Sequence, residues 1–291
     1  MVNNTSPPVL KPFVKWAGGK RQLLAEIKKY IPHNINDYTY YEPFAGAGAL
    51  LFELQPKKAL INDSNTQLMI TYNAIKKDAE GLITLLKNHE KMNDKDYYYE
   101  IRNMDRYPAR FNTLSDTEKA ARFIYLNRTC YNGLYRVNSR GFFNVPFGEN
   151  KNPLICNEPL LIRISLYLNS GGITILNGDF ESALQGTSKD SFIYFDPPYH
   201  SPDKGGFKSY QANGFNEKEQ ERLRNVMLEM TKHGVKCLLS NADTAFIRKL
   251  YNYDCFEIIP VEATRAINSD YRGRGKVNEL LIRNWRPARE L

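Results

Sequence analysis

Phe192-Ile193-Tyr194-Phe195-Asp196-Pro197-Pro198-Tyr199 is the stretch on which the reading of this 291-residue chain turns. The first four residues read as a short apolar strand, so Asp196 falls at a strand's carboxyl end. Consecutive prolines donate no backbone hydrogen bond and hold φ fixed, which makes the turn stiff and extended. Working outward, residues 38–42 read as a strand ending in the glycine-rich Phe44-Ala45-Gly46-Ala47-Gly48, and residues 58–61 as a second strand ending at Asn62-Asp63. Residues 173–176 run into Gly178-Asp179, the amphipathic stretch 217–232 reads as a helix, and residues 235–240 follow as a strand. Residues 256–261 and 279–284 form a closing pair. Strands alternating with helices predict an α/β fold, a mostly parallel sheet covered on both faces, with ligands at the carboxyl ends of its strands.

The middle of the chain differs. Helical segments dominate residues 66–157, and Ser115-Asp116-Thr117-Glu118 has the form of a capping box. Beyond it, the two glycines of Tyr131-Asn132-Gly133-Leu134-Tyr135-Arg136-Val137-Asn138-Ser139-Arg140-Gly141 predict an exposed hairpin. The expected organisation is a core of residues 1–65 and 158–291 with a second domain, 66–157, inserted into it.

Forty basic against 32 acidic residues leave a formal net charge of +8. Lys and Arg gain free energy by displacing counterions from phosphates, so this balance favours a polyanionic partner. Nineteen Tyr and fifteen Phe supply rings for base stacking and, equally, for a core. Cys130, Cys156, Cys237 and Cys255 form no CxxC pair, which argues against a zinc ribbon or a disulfide framework. No signal peptide and no membrane-length apolar run is visible, so a soluble, cytoplasmic protein is expected, not a secreted one.

The motifs carry chemistry at the strand ends. A stiff turn holding a carboxylate, a carbonyl and an aromatic ring suits an exocyclic amine, whose two N–H groups Asp196 and the Pro197 carbonyl can accept while Tyr199 stacks on its ring. An ordinary proline turn remains the alternative for this tetrapeptide alone. Gly46 and Gly48 let backbone approach a ligand at the start of a helix. The third glycine of a dinucleotide fingerprint would fall at Leu51, so a pyrophosphate is not favoured. Asp63 is placed to bind ribose hydroxyls, or to serve only as a helix cap. Lys15-Trp16-Ala17-Gly18-Gly19-Lys20 has Val14 and Arg21 where a phosphate-binding loop needs Gly and Ser or Thr, which excludes ATP binding through it. A Gly-Gly turn before a helix still suits a carboxylate, and Trp16 has plain core packing as its alternative.

Together these stretches resemble the Dam-type family of DNA adenine-N6 methyltransferases, from about Lys11 to Asn284. The order is shared: KWAGGK, EPFAGAG, a recognition domain, then DPPY, with further matches at Phe143–Gly148 and Lys276–Leu281. The resemblance implies a Rossmann-like S-adenosylmethionine-dependent core with a mixed seven-stranded sheet, and an inserted, mainly helical DNA-recognition domain carrying a β-hairpin. It implies that Trp16, Lys20, Phe44, Gly46, Gly48, Asp63, Asp179 and Asp196 bind S-adenosylmethionine. Asp196, Pro197, Pro198 and Tyr199 would be the catalytic motif, holding an adenine flipped out of double-stranded DNA at a cost of roughly a few kcal/mol. Tyr131, Asn132, Leu134, Arg136 and Pro146 would read GATC, with Lys15 also reaching the DNA. An Arg such as Arg136 bonds guanine O6 and N7 together, worth about 1–3 kcal/mol against a wrong base. Arg265, Arg272, Arg274 and Lys276 make a basic loop suited to phosphate contacts.

No metal cluster and no obligate protein partner is expected, and the chain is expected to be a monomer. A DNA-binding protein without chemistry would explain the charge, the hairpin and the aromatics, but not Asp63, Asp179 and Asp196 at three strand ends, where they would repel phosphates. Cytosine-N4, RNA or a different DNA sequence stays open as the target of the same chemistry. A place beside a restriction endonuclease, in a restriction-modification pair, is equally open to a solitary enzyme.

Overall fold

The computed structural model describes residues 10–16, 18, 20, 23–201, 215–264 and 276–286. Seven strands form one sheet: β1 Thr39–Glu42, β2 Ala59–Asp63, β3 Ile173–Asn177, β4 Ser191–Phe195, β5 Lys236–Ala242, β6 Glu257–Thr264 and β7 Lys276–Arg283, in the order β3-β2-β1-β4-β5-β7-β6. β1 pairs in parallel with β2 and β4, and β4 with β5, whereas β7 runs antiparallel between β5 and β6. From β1 the chain builds outward in one direction through β2 and β3, then returns and builds the other way through β4 and β5. The carboxyl ends of β1 and β4 therefore flank a switch point, where ligands of open α/β sheets bind. The sheet is the mixed, Rossmann-like one that the resemblance implied.

Burial explains the strand sequences. β4 is a central strand and all five of its residues are buried, so it reads as an unbroken hydrophobic run. Pro260 lies in β6, the edge strand, where a missing backbone donor costs little. The closing strands are longer than the apolar pattern suggested, each spanning eight residues. Pairing continues through the polar pair Glu262 and Asn278, because ladder bonds belong to the backbone rather than to the side chains. Glu279 consequently stands opposite both Ala242 of β5 and Val261 of β6, inside the sheet.

The chain divides into two compact units. One contains residues 20–45, 56–64 and 176–291, with most of the sheet and the helix Glu217–Lys232, which has the expected bounds. The other contains residues 1–19, 46–55 and 65–175. The stretch 66–157 lies wholly within this second unit, together with the segments carrying Trp16, Gly46 and Gly48. Its longer helices in this stretch start on side-chain caps: Asn65, Asp78 and Asp94 each accept a backbone N–H three residues on, and Ser115 with Glu118 forms the full capping box. The helix Asp116–Thr129 runs through the middle of this unit, burying Phe123, Ile124, Tyr125 and Leu126.

After that helix, the expected hairpin is present but is not a ladder. Its arms meet only at two isolated antiparallel bridges, Cys130↔Phe147 and Val137↔Phe143. Tyr131–Gly133 forms a 3-10 turn in which Asn132 (φ 56°) and Gly133 (φ 65°) are left-handed, so the arm cannot extend as a regular strand. Among the described residues no helix is long and apolar enough to cross a membrane.

Candidate active site

Asp196 is the centre of a polar cluster at the carboxyl end of the sheet. The stiff turn follows β4, and β5 beside it brings Ser240, whose Oγ donates to Asp196 Oδ1 at 2.8 Å. Lys20 Nζ lies 3.1 Å from the same oxygen although Lys20 is only 7% exposed, so the carboxylate stands as its counterion. Behind Ser240, the fully buried Tyr194 shares a 3.0 Å hydrogen bond with it. Tyr199 donates its hydroxyl to Glu279 Oε2 at 2.7 Å, and its ring lies 3.9 Å from Lys20 Nζ. Lys20 Nζ is 4.0 Å from that glutamate oxygen, so one ammonium faces two carboxylates and an aromatic face. Burial raises the Asp196 carboxyl above the usual carboxylate range, opposed by the charge of Lys20 and the bond from Ser240. Burial likewise pushes the Tyr199 phenol far up, keeping it a neutral donor.

The turn is held from outside as well. Gln220 donates to the Pro198 carbonyl at 2.9 Å and accepts from Asn241 at 3.0 Å, while Asn241 Oδ1 receives the backbone N–H of His200 at 3.0 Å. His200 bonds Thr244 Oγ1 at 2.9 Å and Glu217 Oε1 at 3.3 Å and stacks on Phe246, so it supports the loop rather than standing free beside the carboxylate. Most of the segment 200–213 lies outside the described residues.

A cavity of about 370 Å³ opens at the carboxyl ends of β1, β2 and β3, lined by Pro43, Phe44, Ser64, Gly178, Phe180, Phe215, Asn216 and Glu219. Its shape depends on Asn62, which is 2% exposed and donates both amide hydrogens, to the Pro43 and Gly178 carbonyls, each at 3.0 Å. Phe44 stacks on Phe180 at 5.1 Å and meets Phe215 edge-on at 5.5 Å. Asp63 closes β2, and its carbonyl accepts from Asn177 at 2.8 Å. Asp179 lies at the surface, bonded to Arg222 at 3.0 Å, and that bond holds its carboxyl below the usual range. Arg222 also lies over the Phe180 ring at 4.5 Å, joining Asp179 to the aromatic wall. Flat rings with carboxylates at the rim make a pocket whose chemistry fits a purine nucleoside.

Trp16, Gly46 and Gly48 are in the other unit, where they form one cradle. A Cβ on Gly46 (φ 50°) would lie 2.9 Å from the Trp16 ring, and one on Gly48 (φ 70°) 2.5 Å from the Tyr72 hydroxyl, so both positions need glycine for space as well as for φ. Trp16 stacks on Tyr135 at 5.4 Å.

The expected DNA contacts also group in that unit. Lys15, Tyr131, Asn132, Leu134, Arg136 and Pro146 are all exposed. They are tied together by the backbone: Tyr131 N donates to Pro146 O at 2.9 Å, and Asn127 Oδ1 receives Lys15 N at 2.8 Å. Asn127 Nδ2 donates to Lys15 O at 2.8 Å and Gly133 O at 3.0 Å. Arg136 Nε donates to Asn144 Oδ1 at 2.7 Å, which orients the guanidinium. Arg272 and Arg274, with Arg265, lie outside the described residues.

The profile of the family described as D12 class N6 adenine-specific DNA methyltransferase matches residues 16–267. This chain belongs to that family. It is therefore an S-adenosylmethionine-dependent enzyme that methylates adenine N6 in DNA. It is 44% identical to the type II methyltransferase M1.LlaDCHI of Lactococcus lactis subsp. cremoris, with 95% of this chain and 96% of that one aligned. To the type II methyltransferase M.MjaIII of Methanocaldococcus jannaschii it is 41% identical, over 95% and 99%. The DNA adenine methylase of Haemophilus influenzae is 34% identical, over 93% and 92%.

In this methyltransferase, sequence reasoning reached the carboxylate and ring of the turn but assigned no role to Ser240, Gln220, Asn241, Asn62, Arg222 or Glu279. Glu279 lay in plain view within the matching stretch Lys276–Leu281. Its role appears only when β7 lies beside β5.

Proposed function

We propose that the enzyme methylates the adenine of GATC in double-stranded DNA, after flipping that base out of the helix, and that it serves a restriction-modification pair. The observation that carries the specificity is the grouping of Lys15, Tyr131, Asn132, Leu134, Arg136 and Pro146 as exposed residues on a shared backbone framework. All of these but Lys15, a separate DNA contact, are the positions at which the sequence matches a GATC-reading hairpin. Arg136 would read guanine through its two-pronged end, and Leu134 and Pro146 would meet thymine. Target recognition is assigned to residues 66–157, and the methyl-transfer core to residues 1–65 and 158–291. The names of the two type II relatives support the pairing with a restriction enzyme.

Asp196 and the Pro197 carbonyl would accept the two N6–H groups of the adenine, and Tyr199 would stack on its ring. Localising the lone pair of N6 in this way makes the amine a nucleophile. Bound S-adenosylmethionine supplies the electrophilic methyl group. The N–C bond forms as the C–S bond breaks, and the surplus N6 proton leaves to solvent, so positioning and dipoles do the work of a strong base. For the cofactor, Phe44, Asp63 and Asp179 would hold the nucleoside, with Lys20 and Asp196 toward its amino-acid end. Trp16, Gly46 and Gly48 are assigned to the same ligand.

Transfer from labelled S-adenosylmethionine to a GATC duplex and to a GTAC duplex, with Asp196→Ala as control, tests this. Methylation of the GATC duplex alone, lost in the control, is expected. Equal labelling of both would remove GATC, and labelling of neither would point to another sequence.

A further inference from the structure

The hairpin raises a question of backbone accounting: around its bridges the arms exchange bonds such as Asn144 N to Arg136 O at 3.0 Å and Asn138 N to Phe142 O at 2.9 Å, which leaves the outward-facing N–H and C=O of Phe143 to be satisfied elsewhere. They go to charged side chains of the helices beneath. Asp105 Oδ2 accepts the N–H of Phe143 at 2.8 Å, and Arg106 Nη2 donates to the carbonyl of the same residue at 3.0 Å. Asp105 in turn is held by both arginines, Arg106 at 2.7 Å and Arg122 at 2.9 Å. Arg122 is 5% exposed and completes its bonding on the carbonyls of Ile101 and Arg102, at 2.9 and 2.8 Å. Two residues on, the Val145 carbonyl receives the hydroxyl of Tyr98 at 2.9 Å. Asn144, between these pinned residues, is the one that fixes the Arg136 guanidinium.

We infer that Asp105, with Arg106 and Arg122, is a specificity-positioning centre: it sets the height and register of the return arm, and through Asn144 the aim of Arg136. The inference rests on the proposal that this hairpin reads bases. A hairpin with a full ladder keeps its own geometry, whereas this one, with backbone bonds only around two bridges, is also pinned at Phe143 by an ion cluster built on the helices. Asp105 bonds the return arm and the two arginines of its own unit, and it is not among the residues assigned to the cofactor or to the reacting base. Loss of the cluster should therefore loosen base discrimination and leave methyl transfer itself intact.

The test compares the wild type, Arg136→Ala, Asp105→Asn and the milder Arg106→Gln, which leaves the Arg122–Asp105 pair in place. Each is assayed on a GATC duplex and on duplexes with one base of that site changed, with S-adenosylmethionine affinity measured alongside as a check on folding. Asp105→Asn and Arg106→Gln are expected to lower the ratio of kcat/KM between the GATC and altered duplexes by about tenfold. Cofactor affinity and kcat at saturating DNA should stay within about twofold. If Arg136→Ala loses discrimination while Arg106→Gln keeps the full wild-type ratio with cofactor bound, the positioning role is overturned. If Arg136→Ala also keeps the ratio, or the wild type shows none, the base-reading hairpin falls and the inference falls with it. A fall in kcat with an unchanged ratio would also overturn the inference, since it would mark the cluster as a general support of activity.

Discussion

Two buried asparagines do comparable work in the two units. Asn62 is 2% exposed and Asn127 is 1% exposed, and each spends its side-chain amide on backbone groups of loops that carry functional residues. Asn62 sits in β2, so the Pro43 and Gly178 carbonyls it holds are referenced directly to the sheet. Asn127 sits near the end of a helix and pairs with both backbone groups of Lys15, as a neighbouring strand would, while a third bond reaches Gly133. The strand-end site thus borrows its precision from a continuous hydrogen-bonded ladder. The hairpin side borrows it from single side chains placed one by one, of which Asn127 and Asp105 are the chief examples. A surface built in the second way can be retuned by point substitutions without disturbing the first.

The sharpest way to break this contrast is at Asp196. Asp196→Ala removes an acceptor aimed at the reacting amine and should lower the methyl-transfer rate by about 10²–10³-fold, the range seen when one positioned catalytic dipole is deleted. Rapid-quench single-turnover assays read it; a loss below tenfold would mean that the carboxylate is not at the reacting nitrogen.

Next come the two asparagines themselves. Either change to Ala strands buried carbonyls and should cost about 1–3 kcal/mol per unsatisfied group, seen as a lower melting temperature. The readouts should then separate, with Asn62→Ala weakening cofactor affinity and Asn127→Ala weakening DNA affinity. Identical profiles for both variants would erase the distinction between the two kinds of site.

Glu279→Ala and Tyr199→Phe remove the two ends of one hydrogen bond. Each should lower kcat by about tenfold, and the double variant should be little worse than either, because interacting groups are not additive. Additive losses would show that Glu279 acts apart from Tyr199.

The pH profile depends on Asp196 as well. As a neutral acid it would donate to, rather than accept from, the adenine amine. Because burial raises its pKa, transfer should rise with pH along a limb lying above the ordinary Asp value of about 3.9. A limb at or below that value, in the wild type at saturating cofactor, would mean that the charge of Lys20 and the bond from Ser240 outweigh burial.

The smallest effect belongs to Lys15. Lys15→Ala should reduce the slope of log affinity against log salt by about one, without changing base preference.

Much of the strand-end site was legible in the sequence. The apolar run before Asp196, the glycines after β1 and the capping box at Ser115 are local signals, written in residues three or four apart that govern φ, burial and cap bonds. They determined the alternation of strands and helices, the sites at strand ends and the start of the central helix. The ring of partners around Asp196 was not legible. Tyr199 and Glu279 are 80 positions apart, and Asn127 and Lys15 are 112 apart. No local propensity relates residues at such distances; only the strand order, with β7 running back beside β5, brings Ser240 and Glu279 to the carboxylate. The hairpin divides in the same way. Its turn residues were visible as Asn-Gly and Arg-Gly, but a ladder and a string of side-chain clamps have the same glycines. That the return arm is clamped to the helices was decided by tertiary structure, through Asp105, which reaches Phe143, and the buried Arg122, which holds Asp105.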